Sequence, residues 1–195
     1  MVRPQAINPF SSERTEMSET EAPDLDRAAP VVDTSATLMH GVPVSESVAG
    51  QLVLHPSRSE LLEVIGALRE DGYWQCLDVC GVDYLTHPNR SDLPPAVDVE
   101  RFEVVVILMN HTARCRVRLR VQVPESDPTC PSLFAIHPGS EAPEREIFDL
   151  LGIVFEGHPD MTRILLPDEW EGHPLRKDYA IGRIPVQFKA VGSDR

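Results

Sequence analysis

The chain has 195 residues and a formal net charge of −13, with 42% hydrophobic and 25% charged residues. This composition is typical of a globular protein with one packed domain plus tails, and the negative charge argues against a nucleic-acid partner. The longest apolar run, Val104–Met109, is far shorter than the roughly 20 residues of a transmembrane helix. The N-terminus lacks a basic start followed by an apolar stretch, so we expect no secretory signal and a cytoplasmic protein.

The chain order predicts four parts. Residues 1–40 mix prolines with Ser, Thr and acidic residues and show no apolar period, which indicates a disordered or extended N-terminal tail. Residues 41–152 contain the periodic apolar segments and form the predicted domain. Residues 153–180 are punctuated by Gly and Pro and are predicted to be an extended docking segment. Residues 181–195 form a C-terminal tail.

The first elements of the domain are a short strand and a helix. The sequence Gln51–Leu54 indicates the strand. Ser57 and Glu60 have the spacing of a capping box, and Gly72 stands where a C-terminal cap belongs. Between them lies an apolar stripe at helical spacing, made of Leu61, Leu62, Val64, Ile65 and Leu68.

Three extended segments follow. Residues 74–84 are predicted as a strand or a pair of short extended pieces, and the apolar residues 101–109 as a central strand. A hairpin connection leads into residues 114–123, which alternate between apolar and basic residues. The alternation puts Arg114, Arg116, Arg118 and Arg120 on one face. We expect this face either to be solvated and paired with the chain's own acids or to contact an acidic neighbouring protein or an anionic membrane surface.

A second helix is predicted at about residues 140–151, where Ile147, Phe148, Leu150 and Leu151 share a face and Gly152 follows. Because the strands are sequential rather than alternating with helices, the predicted class is α+β. We expect a small mixed or antiparallel sheet packed with two main helices and followed by an irregular C-terminal docking tail. No glycine-rich nucleotide or phosphate loop is visible in the sequence.

The residue types that bind metals permit one catalytic interpretation. The cysteines Cys76, Cys80, Cys115 and Cys130 form no Cys-x-x-Cys pair, so we expect core thiols rather than zinc or iron–sulfur ligands. Two histidines, His158 and His173, stand near the carboxylates of Glu144, Glu146, Asp149 and Asp178. Such a set suits a free-standing metal-dependent hydrolase, but His-Glu-x-x-His spacing is absent and neither histidine lies on a predicted helix.

The same segment also has the composition of an interface. Arg163, Arg176 and Lys177 alternate with the apolar and aromatic residues Leu165, Leu166, Trp170 and Tyr179. Aromatic and apolar anchors beside charged donors are typical of protein–protein contacts. Nearly thirty irregular residues are uncommon in a compact domain unless they bind something. We therefore favour docking over catalysis.

The longest motif runs from Glu144 to Tyr179. It reads Glu-Arg-Glu-x-x-Asp-Leu-x-Gly-Ile-x-Phe-x-Gly-His-Pro, then Arg-Ile-Leu, then Gly-His-Pro-Leu-Arg-Lys-Asp-Tyr, and Gly81-Val82-Asp83-Tyr84 precedes it. Over roughly residues 50–180 these motifs resemble the 30 kDa subunit family of the proton-pumping NADH:quinone oxidoreductase, respiratory complex I, whose bacterial members are lettered C. The sequence departs from the family pattern at Ala142, Leu151, Thr162 and Ala180.

The resemblance implies a non-catalytic subunit of the peripheral arm, held on the cytoplasmic side of the bacterial membrane by the complex. It implies docking on the large neighbouring subunit, lettered D in complex I, and proximity to the one lettered B and to the quinone-reducing module. It also implies no cofactor on this chain, with FMN and iron–sulfur clusters on other subunits. The alternative is the equivalent subunit of a related membrane complex with another electron donor, such as a hydrogenase. The docking residues expected from the motif are Glu144, Arg145, Glu146, Asp149, His158, Arg163, Trp170, His173, Arg176, Lys177, Asp178 and Tyr179.

Overall fold

The computed structural model describes residues 38–47 and 49–180, which contain eight strands and two α-helices. The predicted tails lie outside these residues, apart from positions 38–40. The strands are β1 (Leu38–Met39), β2 (Val42–Glu46), β3 (Leu52–Leu54), β4 (Gln75–Asp83), β5 (Phe102–Asn110), β6 (Cys115–Val123), β7 (Thr129–Pro131) and β8 (Val154–Glu156). The helices are α1 (Leu61–Glu70) and α2 (Glu141–Leu151), and a short 3-10 turn, Pro138–Ser140, precedes α2.

Six of the strands form one mixed sheet in the order β1-β2-β3-β6-β5-β4. The neighbouring strands are antiparallel except β3 and β6, which are parallel. Strands β7 and β8 form a separate parallel pair. A mixed sheet with two helices confirms the α+β class, and β5 lies inside the sheet as predicted.

Both ends of α1 show how the local sequence shapes a helix. At the C-terminal end Gly72 has a φ of +92°, its N–H donates to Arg69, and the N–H of Tyr73 donates to Leu68. These two bonds satisfy carbonyls that the helix leaves free, as the sequence predicted. At the N-terminal end only half of the predicted capping box forms: the backbone N–H of Ser57 donates to the Glu60 carboxylate at 2.9 Å. The Ser57 hydroxyl donates to the same carboxylate instead of accepting a helical N–H, and the helix begins at Leu61.

One hydrophobic cluster joins both helices to the same face of the sheet. The sheet contributes alternating residues such as Val104, Val106 and Leu119, and α1 contributes Leu61, Val64, Ile65 and Leu68. Leu62, which was predicted to belong to the α1 stripe, is instead 38% exposed. Ile153 and Phe155 also belong to the cluster, so the packed core continues beyond residue 152.

The opposite face of the sheet carries the arginines of β6 and has no helix packed on it within the described residues. Arg120 is buried and binds Glu103 at 2.8 Å and Asp92 at 2.7 Å. Arg114 precedes the strand, with a φ of +54°, so its predicted place on the strand face was wrong. Within residues 38–47 and 49–180, no helix has the length and apolar character needed to cross a membrane.

Candidate functional site

The last turn of α2 binds the segment that follows it through one buried carboxylate. One oxygen of Asp149 accepts hydrogen bonds from the backbone N–H groups of Ile164, Leu165 and Leu166 at 2.8 to 3.1 Å. The other oxygen accepts a bond of 2.6 Å from Arg163. Burial by itself would raise the pKa of Asp149, but these N–H donors and the arginine lower that pKa to about 2. Asp149 is therefore ionised at neutral pH and holds residues 163–166 in place.

Arg163 links this turn to the next part of the segment. While its Nη1 atom donates to Asp149, its Nη2 atom donates to the carbonyl oxygens of Trp170, at 2.8 Å, and Gly172, at 3.0 Å. A guanidinium group has donors in a rigid fork, so one side chain can join three acceptors. Residues 163–166 and 170–172 are consequently held side by side.

The carbonyl oxygens that end α2 are bound by residues 173–176. His173 donates from Nδ1 to the carbonyl oxygen of Asp149 at 3.0 Å, since that oxygen can only accept. The N–H of Leu175 donates to Leu150 at 3.0 Å. Arg176 donates from Nε to Leu151 at 2.6 Å. Helix C-termini leave such carbonyls unpaired and favour nearby positive charge, so the segment serves as the C-terminal cap of α2.

The end of the segment binds the sheet. Arg101 lies between the carboxylates of Asp83, Glu125 and Asp178, at 3.0, 2.5 and 2.7 Å. The backbone N–H of Lys177 donates to Asp83 at 2.8 Å. These contacts join the segment to the adjoining ends of β4 and β5. They also explain why Asp83 follows Gly81-Val82 in the motif noted from the sequence.

The remaining motif residues near α2 have separate partners. Glu144 is fully buried and accepts from the Ser132 and Ser140 hydroxyls and from the N–H of Leu133. Arg145 donates to the carbonyl oxygens of residues 162 and 163, and His158 donates to that of residue 141 at 3.1 Å. Glu146 is exposed. In the part of the chain that the structure describes, no three His, Cys, Asp or Glu side chains come together in a way that could hold a metal ion.

The outward side of the segment is apolar and acidic. Leu165 is 57% exposed, Leu175 51% and Ile164 38%. Trp170 and Tyr179 are half-buried, and Lys177 is exposed. The docking residues predicted from the sequence include neither Ile164 nor Leu175, nor three exposed acids, Asp168, Glu169 and Glu171. The signal that could have found these acids is their position on both sides of Trp170.

Two arginines remain on the secondary face that the sequence predicted. Arg116 is exposed and Arg118 is half-buried. Neither forms an ion pair with any residue that the structure describes, and the shielded Nε atom of Arg118 has no hydrogen-bond partner there. Their strand neighbours on β5 are Met109 and Ile107. This face is therefore half apolar and half basic.

Comparison with known proteins identifies the family. Residues 54–184 match the family described as respiratory-chain NADH dehydrogenase, 30 Kd subunit. The chain belongs to this family. The resemblance found in the sequence motifs is thereby confirmed, and the match includes β4, α2 and the whole of the segment that caps α2.

Curated relatives in this family are named as subunits of NADH-quinone oxidoreductase and carry the letter C. The protein of Salinispora arenicola is 42% identical over 145 residues, which are 73% of this chain and 55% of that protein. The protein of Mycobacterium avium is 43% identical over 144 residues, which are 72% of this chain and 57% of that protein. The chain thus spans about half the length of the curated relatives it matches.

Two solved structures share the fold of this chain. A trypsin-resistant fragment of Nqo5 is 34% identical, with a TM-score of 0.55 over 62% of this chain and 89% of the fragment. A chain of an archaeal membrane-bound sulfane sulfur reductase is 20% identical, with a TM-score of 0.58 over 71% of this chain and 78% of that chain. The second likeness shows the fold alone.

Proposed function

We propose that this chain is a non-catalytic, peripheral-arm subunit of a proton-translocating NADH:quinone oxidoreductase. Membership of the 30 kDa subunit family and the names of its relatives support this proposal. In it, the chain docks on the large neighbour lettered D, near the one lettered B and the quinone-reducing module, and helps the complex to assemble. The complex holds the chain on the cytoplasmic side of the membrane, and FMN and the iron–sulfur clusters belong to other subunits.

The arrangement of residues 153–180 supports docking through this segment. Its polar groups bind α2 and the ends of β4 and β5, so its backbone is fixed before any partner arrives. Its leucines and Ile164 nevertheless face outward. A rigid segment with exposed apolar side chains loses little conformational entropy on binding, which favours a stable contact. This outward apolar surface is the observation that carries the proposal.

The state of the thiols supports a structural rather than a redox role. Burial raises the pKa of Cys76 to about 11 and that of Cys130 to about 12. The thiolate, not the thiol, is the nucleophile and the metal ligand. Both cysteines therefore remain protonated at neutral pH. Cys130 belongs to the hydrophobic cluster, as expected for a core thiol, whereas Cys76 is partly buried and packs against the cluster.

Substitution of the two most exposed leucines of the segment tests docking. We expect Leu165→Asp with Leu175→Asp to leave the isolated chain folded, because both side chains are solvent-exposed. In the complex, an aspartate buried against the partner would lose its hydration without gaining a partner charge, which weakens the contact. In a host that depends on the variant, native gels should show loss of the chain from the complex.

The matched control is Leu38→Asp with Leu62→Asp, which changes two exposed leucines on β1 and α1. We expect this variant to enter the complex normally. Docking through the segment is wrong if both double variants assemble equally well.

A further inference from the structure

The outward surface beside the end of α2 combines two kinds of side chain. We call it the docking patch and define it by three exposed apolar residues and three exposed acids: Ile164, Leu165, Leu175, Asp168, Glu169 and Glu171. Contiguous exposed apolar groups with a polar rim are typical of protein interaction sites. The charged rim can therefore indicate what kind of surface the patch meets.

The internal contacts of the segment bring the patch residues together. Asp149 binds the backbone of residues 164–166, and Arg163 ties that turn to the carbonyl oxygens of Trp170 and Gly172. Leu175 lies three residues after Gly172, and its backbone N–H donates to the carbonyl oxygen of Leu150 in α2. The stretches 163–166, 170–172 and 173–176 are thus all held at the C-terminal end of α2. Each of the six patch residues lies in one of these stretches or between two of them.

The two arginines of the segment turn their charged groups into the chain. Arg163 and Arg176 direct their guanidinium donors to Asp149 and to backbone carbonyls. The patch acids, in contrast, form no ion pair with any residue in the described part of the chain. Among the exposed side chains of residues 163–180, Lys177 is positive and four are negative, of which Asp178 is paired with Arg101.

From these features we infer that the partner surface facing the docking patch is apolar at its centre and lined by arginine or lysine side chains. This inference rests on the proposed function and deepens it. Arg163 and Arg176 were predicted from the sequence as docking residues, but both direct their donors into the chain. Complementary charge at the rim of an interface mainly speeds association and selects the partner, while the apolar centre supplies most of the affinity.

Neutralising the acids tests the inference. Purified full-length chain is added to membranes from a host that lacks it, and binding is titrated at low and at high KCl concentration. For Asp168→Asn, Glu169→Gln and Glu171→Gln combined, we expect about tenfold weaker binding at low salt, since each rim pair contributes modestly. We also expect a flatter salt dependence than that of the wild type.

The control removes three exposed acids elsewhere, by Glu63→Gln, Glu70→Gln and Asp98→Asn, and should bind like the wild type. Replacing the three patch acids by lysine should abolish binding, with the far-ultraviolet circular dichroism unchanged. The inference is overturned if the neutral variant binds as tightly as the wild type or keeps the same salt dependence, or if the lysine variant binds.

The failure of the inference is distinguishable from the failure of docking itself. Suppose that the Leu165→Asp, Leu175→Asp variant does not bind in this assay while the neutral variant binds normally. Docking through the segment is then supported, and the inferred arginine or lysine lining of the partner surface is wrong. If that leucine variant binds as well as the wild type, docking through the segment is wrong and the inference fails with it.

Discussion

At the scale of single residues, Asp149 shows that a charged motif residue can act inside the chain rather than at its surface. Its charge lies within the chain, where it fixes the turn that carries Ile164 and Leu165. Glu144 is used similarly, with three donors around a fully buried carboxylate. The motif singles out Asp149 and Glu144, but composition alone does not indicate whether a charged side chain faces a partner or its own backbone.

The lowered pKa of Asp149 predicts a pH dependence. A carboxyl group whose pKa is about 2 when folded and about 4 when unfolded stabilises the fold above pH 4. That contribution, about 2 to 3 kcal/mol, is lost as the pH falls from about 4 to about 2. In Asp149→Asn we expect the free energy of unfolding at pH 7 to be lower by about 3 kcal/mol.

Urea unfolding at several pH values measures this effect, with Trp170 fluorescence in a Trp74→Phe background as the probe. The difference between the wild type and Asp149→Asn should shrink as the pH approaches 2. A difference that stays constant with pH would show that ionisation of Asp149 does not hold the segment.

At the scale of elements, the helices and the β5–β6 hairpin were predictable because their signals are local. Apolar spacing marks α1 and α2, and alternation marks β6. The parallel pairing of β3 with β6 joins Leu54 to Leu119, and no local pattern in either strand indicates that contact. The irregular segment was hardest, because the hydrogen bonds that attach it to the domain depend on partners far away in sequence, such as Asp83 for Lys177.

Gly81 sets how closely α2 approaches β4. A Cβ atom at this position would lie 2.5 Å from Cδ1 of Leu151 and 2.9 Å from Cγ2 of Ile147. We therefore expect Gly81→Ala to lower the free energy of unfolding by about 2 kcal/mol, because the helix side chains must shift. Urea denaturation provides the measurement.

Gly66→Ala is the matched control for this prediction. Gly66 lies within α1, and a Cβ atom there would meet nothing within 4 Å. Alanine favours helix over glycine by about 1 kcal/mol, so this variant should be more stable than the wild type. If both substitutions changed the free energy of unfolding equally, close packing at Gly81 would not be the cause of the effect.

At the scale of the whole molecule, the sheet has one face covered by helices and one face without them in the described residues. The face without helices carries Arg116 and Arg118, whereas Arg120 on the same face is buried and paired with Glu103 and Asp92. The two expectations for the arginine face thus apply to different residues. Pairing with the chain's own acids describes Arg120. Contact with an acidic neighbouring protein or an anionic membrane stays a prediction for Arg116 and Arg118.

Charge reversal tests that prediction. We expect Arg116→Glu with Arg118→Glu to leave the isolated chain folded, because neither side chain has an ion-pair partner in residues 38–47 and 49–180. Assembly into the complex should weaken, as seen on native gels. Arg114→Glu, which alters an exposed charge off the strand, should assemble normally. Unchanged assembly of the double variant would remove this face from the interface.

The capping of α2 by residues 173–176 has a consequence for the order of events during synthesis. These residues leave the ribosome after the sheet and both helices, and they can bind only a helix end that already exists. The docking patch therefore takes shape last, and only on a chain whose α2 has formed. We expect a misfolded copy to present no such patch, so that assembly itself selects correctly folded subunits.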